Sequence, residues 1–187
     1  MKNPTIMIIG AGLAGPLLGI SLVQRGFPVV LYERRPDMRR VRISAGRSIN
    51  LAVSTRGIHA LQEAGVWQGL QKIVIPMRGR MMHSVTGDLT FQPYGKDDTE
   101  VINAVSRAEL NIALLNAAES AGVKIHFNQR CTGYEIQDGA VRLHMNDEVH
   151  DRQVLVESEL VIGTDGSASA IRQDMFKLPR FNYSQDY

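Results

Sequence analysis

The sequence of 187 residues has almost no cysteine, since Cys131 is the single one. One thiol cannot build an internal disulfide framework, and its scarcity fits a reducing compartment, so we expect a cytoplasmic protein. The chain also has little net charge, because 21 Lys and Arg against 19 Asp and Glu leave a formal charge of +2. A nucleic-acid-binding protein usually carries a clear basic excess on one face, so no nucleic-acid partner is expected.

Metal-binding patterns and repeats are missing too. The 5 histidines are scattered along the chain, and no pair of them has the spacing of a zinc site. The sequence contains no internal repeat and no low-complexity tract. We therefore expect a globular protein without a metal site, whose oligomeric state the sequence leaves open.

One apolar stretch, residues 6–23, is about 18 residues long, which is near the lower limit for a membrane span and also suits a secretory signal. Four glycines and Pro16 lie within it. Glycine and proline are poor choices for a plain apolar helix, so no membrane segment is predicted.

The same stretch contains a G-x-G-x-x-G motif formed by Gly10, Gly12 and Gly15. An apolar run, residues 6–9, precedes the motif and a helix-length segment follows it, which predicts the strand, tight turn and helix of a dinucleotide-binding fold. Gly10 allows the turn, Gly12 lets a pyrophosphate approach the backbone, and Gly15 lets the helix pack closely. The helix N-terminus favours the phosphate charge. A glycine turn without a ligand is the alternative.

A second apolar run, residues 29–32, ends at Glu33. An acid at this point is placed to accept hydrogen bonds from a ribose 2′-OH and would repel a 2′-phosphate, which predicts FAD or NAD in this slot and excludes NADP from it. An arginine-dense loop follows, with its basic residues at Arg34, Arg35, Arg39, Arg40, Arg42 and Arg47. This loop is either a solvated basic surface or a binding site for the FAD pyrophosphate or for a second nucleotide.

The pattern changes over residues 73–105. Residues 77–85 and 89–94 predict two strands of a hairpin around a turn glycine, and residues 101–105 predict a third strand. Such a β-rich insertion between the helices of a nucleotide-binding domain is a natural place for a substrate layer.

The remaining segments return to the α/β pattern. A capping box at residues 106–109 begins a helix, and residues 123–127 predict a strand of the parallel sheet. Residues 130–156 predict a β-meander that includes an Asp-Gly turn. Residues 160–163 predict a last strand, which ends just before Asp165.

The predicted fold class is α/β: a Rossmann-like FAD/NAD(P)-binding domain with a parallel sheet and a β-meander, plus the start of an inserted β-rich substrate layer. The predicted divisions are residues 1–72 and 106–178 for the FAD-binding domain, 73–105 for the first strands of the substrate domain, and 179–187 for a lead into a missing remainder.

Asp165 lies at the carboxyl end of a predicted strand, where open α/β sheets bind ligands. Taken alone, it could equally cap the helix that follows. The wider string D-G-x-x-S-x-x-R, which runs from Asp165 through Ser169 to Arg172, is more specific.

Together, the glycine motif with Glu33 and the string at Asp165 resemble the paired fingerprints of the single-component FAD-dependent aromatic hydroxylases. Longer strings are similar to the N-terminal portion of the kynurenine 3-monooxygenases within that family, and a bacterial source is expected. The matching strings are GRSINLA from residue 46, PMRGRMMHS from 76, QPYG from 92, SRAELN from 106 and RFNYSQDY at the end.

This resemblance implies a tightly bound FAD, NADPH as a transient electron donor, and O2 and L-kynurenine as substrates. Hydroxylation to 3-hydroxykynurenine would pass through a flavin C4a-hydroperoxide, without a catalytic side chain. By position, Arg80 and Tyr94 are implied to bind the substrate. The implied cofactor-binding residues are Gly10, Gly12, Leu13, Gly15, Glu33, Arg34, Ala52, Arg107, Cys131 and Asp165. Cys131 is expected to be a buried small residue and not a nucleophile.

Members of this family are much longer than this chain, so the chain is expected to be truncated and inactive in isolation. Three alternatives stay open: a flavin hydroxylase of the same class for another aromatic acid, a non-catalytic FAD-binding module, and an NAD-linked dehydrogenase. The dehydrogenase would leave the string from Asp165 to Arg172 unexplained.

Overall fold

The computed structural model describes residues 3–41, 50–97 and 100–177. The chain divides into two compact units, one comprising Met1–Ile43 with Leu114–Tyr187 and the other Ser44–Ala113. These units are defined by contacts within the chain and not by what each of them binds. The predicted substrate layer, which begins at residue 73, therefore stays a prediction.

Secondary-structure elements are numbered along the chain. The strands are β1 Ile6–Ile9, β2 Val29–Tyr32, β3 Asn50–Val53, β4 Ile75–Met77, β5 Gly79–His83, β6 Leu89–Pro93, β7 Ile102–Ser106, β8 Lys124–His126, β9 Gln129–Gln137, β10 Ala140–Asp147, β11 Arg152–Ser158 and β12 Leu160–Gly163. The helices are α1 Ala14–Gln24, α2 Thr55–Glu63, α3 Trp67–Leu70, α4 Arg107–Ser120 and α5 Ala170–Met175, with a 3-10 turn at Gln71–Ile73.

The first unit contains a parallel sheet in the order β12-β1-β2-β8. The central strand β1 is buried along its whole length, and Ile8 and Leu31 on adjacent strands are completely inaccessible to solvent. Continuous apolar runs such as IMII are typical of parallel strands that are covered on both faces. The parallel sheet predicted from the sequence is therefore confirmed.

Helix α1 is buried along a face made of small residues. Gly15, Pro16, Gly19 and Ile20 are its buried positions. A Cβ at Gly19 would lie 3.1 Å from Cγ2 of Val123, so glycine allows a close approach there. Pro16 lies in the first turn, where a helix tolerates the missing N–H.

A three-stranded antiparallel meander, in the order β11-β10-β9, completes the first unit. The predicted Asp-Gly turn joins β9 to β10 with positive φ at Asp138 (52°) and Gly139 (82°). Leu143 and Met145 of β10 pack with Met7 and Ile9 of β1 in one buried cluster. The meander therefore covers one face of the parallel sheet.

The second unit contains a three-stranded sheet in the order β3-β7-β4 and a separate hairpin of β5 and β6. The predicted hairpin is present, but the strand predicted at residues 101–105 forms as β7 and pairs with β3 and β4. Strand β3 was not predicted because its four residues carry little periodic signal before Ser54, which caps α2 by accepting a hydrogen bond from the Gly57 N–H at 3.5 Å.

Within the described ranges, no helix is both long and apolar enough to cross a membrane. Over the same ranges, no cluster of three or more His, Cys, Asp or Glu side chains is arranged to hold a metal ion.

Candidate functional site

The glycine turn follows β1 and leads into α1. Gly10 has φ of +103°, which favours glycine, and its N–H donates to the Tyr32 carbonyl at 2.8 Å. A Cβ at Gly10 would lie 2.6 Å from the Thr164 carbonyl oxygen, and one at Gly15 would collide with the Gly10 carbonyl. Both glycines are therefore required by the packing of the turn.

Gly12 differs from the other two glycines because a Cβ built there meets no atom within 4 Å. The space next to it opens at the start of α1, where Leu13 occupies the N-cap position without a side-chain cap and the first turn has no acidic residue. An uncapped helix N-terminus beside an open glycine suits an anionic group such as a pyrophosphate. The turn therefore fits the dinucleotide predicted from the sequence.

Glu33 lies directly after β2 and is almost fully buried, with 6% of its surface exposed. Its Oε2 accepts a hydrogen bond from the Ala11 N–H at 2.8 Å, and its Oε1 accepts from the N–H and the Nε of Arg35 at 2.9 and 2.8 Å. Burial alone would raise the pKa of Glu33, but the hydrogen bonds from Arg35 and Ala11 hold it below its usual value. A charged carboxylate therefore stands beside the glycine turn.

The arginine-dense loop is partly committed to contacts within the protein. Arg39 forms ion pairs with Asp37 at 2.8 Å and Glu119 at 2.5 Å, and its guanidinium lies 5.6 Å from the centre of the Phe127 ring. Together with the pairing of Arg35 to Glu33, this favours a structural role for two of the arginines. Arg34 is exposed, whereas Arg42 and Arg47 lie outside the described residues.

Thr164 joins the end of β12 to the glycine turn. Its N–H donates to the Ile9 carbonyl at 2.7 Å, and its Oγ1 lies 2.7 Å from the Gly10 carbonyl oxygen. Thr164 was not among the candidate residues predicted from the sequence. A hydroxyl at the end of a strand next to β1 is the signal that could have identified it.

Asp165 accepts hydrogen bonds at Oδ2 from the N–H groups of Ala170 at 2.8 Å and Ile171 at 3.5 Å, in the first turn of α5. Ser169 is the N-cap residue and accepts from the Arg172 N–H at 2.9 Å. The helix-capping alternative for Asp165 is thus realised at one of its oxygens. Its contact with the flavin stays a prediction.

Cys131 on β9 is half-buried, and its Sγ lies 3.5 Å from the Gly133 carbonyl oxygen. Burial raises the pKa of the Cys131 thiol to about 11, and the negative charges of Asp165 and Asp174 add to this effect. The thiol therefore stays protonated near neutral pH, which fits a residue that is not a nucleophile.

Two of the implied cofactor residues, Ala52 and Arg107, belong to the second unit. Ala52 on β3 pairs with Ala104 on β7, and Arg107 begins α4 directly after β7. Both side chains are exposed. Both residues therefore belong to the unit that contains the β3-β7-β4 sheet, whereas the glycine turn belongs to the other unit.

The implied substrate residues, Arg80 and Tyr94, lie on the same face of the hairpin. Arg80 on β5 pairs with Gln92 on β6, and Tyr94 follows two positions later with its N–H donating to the Arg78 carbonyl at 2.9 Å. The Nε of Arg80 donates to Oε1 of Gln92 at 2.8 Å. An exposed guanidinium and a tyrosine that is 44% exposed are thus presented together.

Curated relatives carry names that match the resemblance. The chain is 50% identical over 186 residues to the kynurenine 3-monooxygenase of Myxococcus xanthus (strain DK1622), which covers 99% of this chain and 40% of that protein. It is 43% identical over 171 residues to the kynurenine 3-monooxygenase of Xanthomonas campestris pv. campestris (strain 8004), covering 91% of this chain and 37% of that protein. The chain therefore spans about 40% of the length of these relatives.

Solved structures share the fold at low sequence identity. The flavin-dependent monooxygenase PieE, in complex with FAD and substrate, gives a TM-score of 0.79 at 18% identity and covers 93% of this chain and 32% of its own. The p-nitrophenol 4-monooxygenase PnpA from Pseudomonas putida DLL-E4 gives a TM-score of 0.77 at 16% identity and covers 94% of this chain and 44% of its own.

The family match agrees with the geometry of the first unit. The FAD binding domain family matches residues 3–181, which include the glycine turn, Glu33 and the loop at Asp165. The cofactor of this family is FAD, which agrees with the open space at Gly12 and the charged carboxylate at Glu33. The chain belongs to the FAD binding domain family.

Proposed function

We propose that the full-length protein carrying this chain hydroxylates L-kynurenine to 3-hydroxykynurenine, with O2 as oxidant and NADPH as electron donor. The observation that carries the proposal is the 50% identity to a kynurenine 3-monooxygenase over 99% of the chain. The aligned region includes the hairpin with Arg80 and Tyr94, because the match covers nearly every residue. The activity is proposed for the whole protein, since the chain spans 40% of that relative.

The first unit would hold the FAD. The turn with Gly12 and Leu13 leaves room for the pyrophosphate at the N-terminus of α1, and Glu33 is charged beside it. The bound flavin supplies the redox chemistry, which takes electrons from NADPH and delivers an oxygen atom from O2 to the substrate. The further flavin contacts in the proposal are Arg34, Ala52, Arg107, Cys131 and Asp165.

The hairpin would bind the substrate carboxylate. A guanidinium can pair with a carboxylate through two parallel hydrogen bonds, and Arg80 uses its Nε for Gln92, which fixes the plane of the group. Tyr94, on the same face, adds an aromatic surface and one hydroxyl. Both residues would orient the substrate, and neither is required to transfer a proton.

The test follows NADPH oxidation by the full-length protein with and without L-kynurenine, and identifies the product by mass spectrometry. We expect kynurenine to accelerate NADPH consumption and to gain one oxygen atom. A panel of other aromatic acids runs in parallel. Faster turnover with another acid, together with no product from kynurenine, would assign the protein to a different substrate of the same flavin class.

We also propose a cytoplasmic location. The single cysteine fits a reducing compartment, and the relatives named above are bacterial proteins. Cell fractionation of the source organism tests this directly, and recovery of the protein in the membrane or secreted fraction would contradict it.

A further inference from the structure

The contacts of Glu33 show more than a charged acid near a nucleotide. Two of the three hydrogen bonds on its carboxylate come from one residue, Arg35, which donates through both its backbone N–H and its side-chain Nε. Both bonds reach the same oxygen, Oε1, whereas Oε2 accepts one bond, from the Ala11 N–H at 2.8 Å. Arg35 therefore decides which oxygen faces the glycine turn.

The acceptor capacity of the two oxygens differs as a consequence. Each carboxylate oxygen accepts about two hydrogen bonds. The Oε1 of Glu33 receives two from Arg35, while Oε2 receives one from Ala11. Oε2 can therefore accept one more hydrogen bond, from a hydroxyl group at the turn.

The backbone around Arg35 is tied to the neighbouring strand and the turn that follows it. The Glu33 N–H donates to the His126 carbonyl at 2.8 Å, and the Gln129 N–H donates to the Glu33 carbonyl at 2.8 Å. The Asn128 N–H donates to the Arg35 carbonyl at 3.1 Å. Because both residues are anchored on this side, the Arg35 side chain is held within reach of the carboxylate.

We propose that Arg35 is a positioning residue of the nucleotide site: it keeps the buried Glu33 carboxylate ionised and turned so that Oε2 can accept a ribose hydroxyl of FAD. This inference rests on the proposed placement of the nucleotide at Glu33. A buried carboxylate without a partner takes up a proton readily, and the Arg35 side chain is the cation bonded to this one. Arg35 is 47% exposed at its side chain and so reaches Glu33 from the solvent side.

The pH dependence follows from the groups that face this site. β1 and the turn through Leu13 contribute no charged side chain, and Arg34 is the exposed neighbour in the chain. The adjacent strand β8 contributes Lys124 and His126, and the His126 ring stacks on Tyr32 with 5.1 Å between ring centres. Glu33 has a lowered pKa, so its carboxylate is ionised at neutral pH and contributes to FAD binding there. That contribution is lost as the pH falls through the lowered pKa. Without Arg35, burial raises the pKa, and the loss occurs at higher pH.

The test measures the dissociation constant of FAD for the apo form of the full-length protein, by flavin fluorescence, at about pH 8 and about pH 5.5. The variants are Arg35→Met, Arg35→Gln and Arg35→Lys. Arg142→Met is the matched control, because Arg142 also pairs with carboxylates at the surface but lies on β10, outside the arginine-dense loop.

We expect Arg35→Met and Arg35→Gln to weaken FAD binding about tenfold at the higher pH and more at the lower pH, while Arg35→Lys recovers part of the loss. Arg142→Met should match the wild type at both pH values. An unchanged dissociation constant in the Met and Gln variants would overturn the inference, and so would an equal weakening at both pH values. The use of both Met and Gln keeps the test decisive if one of these variants fails to fold.

A Glu33→Gln variant separates this inference from the proposed nucleotide site. If Glu33→Gln binds FAD like the wild type, the placement of the ribose at Glu33 is wrong. If Glu33→Gln weakens binding but the Arg35 variants do not, the site stands and the role of Arg35 is refuted.

Discussion

Gly12 and Gly15 lie three residues apart in the same motif, yet the structure gives them different physical reasons to be glycine. A Cβ at Gly12 would enter open space, whereas one at Gly15 would collide with the Gly10 carbonyl and lie 2.9 Å from the Thr164 hydroxyl. The fold itself therefore leaves room for a side chain at Gly12, and we expect the bound pyrophosphate to be what excludes one. Gly15 is required by the fold.

This difference predicts opposite results for two substitutions. Gly12→Val in the full-length protein should abolish FAD binding, because the side chain occupies the space left for the pyrophosphate, while the apo protein unfolds at nearly the same urea concentration as the wild type. Gly15→Ala should lower the free energy of unfolding of the apo protein by about 1–3 kcal/mol through overpacking. Full flavin occupancy in Gly12→Val would contradict the assignment of the turn.

Cys131 gives a prediction about reactivity. With a pKa of about 11, only about one thiol in a thousand is ionised at pH 8, and the thiolate is the reactive form. We expect iodoacetamide to label the Cys131 peptide slowly in the native protein and quickly in urea, as measured by mass spectrometry. Rapid labelling in the native state would show that this thiol is activated and would reopen the question of a chemical role.

At the scale of elements, α5 packs against the meander through Ile171, which joins the cluster of Leu143 and Met145, and through Asp174, which bonds to β9. The ladder between β9 and β10 shifts register at Met145, and Thr132 is left unpaired, with its hydroxyl donating to the His144 carbonyl at 3.1 Å. Just beyond the shift, Asp174 of α5 accepts a hydrogen bond from the Tyr134 N–H at 2.8 Å. The missing side chain of Gly133 makes room for that carboxylate.

A Gly133→Ala substitution tests this attachment. The added Cβ would displace the Asp174 carboxylate, which then gives up its hydrogen bond from the Tyr134 N–H, so we expect a loss of about 1 kcal/mol in the free energy of unfolding, measured in urea. Gly139→Ala is not a neutral control because its φ is +82°, so Gly69→Ala on α3, where an added Cβ meets no atom within 4 Å, serves as the matched change. If Gly133→Ala and Asp174→Ala were fully additive in the double variant, the two residues would not interact.

The elements also show what the sequence could predict. The β1 turn, α1, β2, the meander and α4 carry strong local signals: glycine spacing, continuous apolar runs, an Asp-Gly turn and a capping box, in which the Glu109 N–H donates to the Ser106 hydroxyl at 3.4 Å. The pairing of β7 with β3 and β4 was not predictable, because strand partners are chosen by contacts between distant segments. The contacts of Thr164 were missed for the same reason, since they depend on β12 lying next to β1. The bonds from Arg35 to Glu33 are local, and they were missed because sequence spacing does not fix the direction of a side chain.

At the scale of the whole molecule, the candidate residues fall into both compact units. The first unit carries the glycine turn, Glu33 and Asp165, and the second carries Ala52, Arg107 and the hairpin. The proposed flavin contacts Ala52 and Arg107 share the second unit with the hairpin but lie on β3 and at the start of α4, so substitutions within the hairpin are expected to affect substrate binding and to spare FAD.

Arg80→Ala is the sharpest test of that separation. In the full-length protein, loss of the guanidinium removes a charge-assisted pair with the substrate carboxylate, so we expect the KM for kynurenine to rise about 10- to 100-fold. The FAD content should stay that of the wild type, because no residue of the glycine turn is altered. Steady-state kinetics and the flavin absorbance of the purified protein measure the two quantities.

Arg142→Ala is the matched control for loss of one positive charge, because Arg142 lies on β10 and forms its ion pairs with Glu135 and Glu157 at the surface of the meander. Its KM should equal that of the wild type, which would show that the effect at Arg80 comes from its position and not from net charge. The KM of an Arg80→Lys variant should fall between those of the wild type and Arg80→Ala, since an ammonium keeps the charge but cannot form two parallel hydrogen bonds. If Arg80→Ala left the KM unchanged, the hairpin would not hold the carboxylate, and a loss of FAD in the same variant would mean that the hairpin also supports FAD binding.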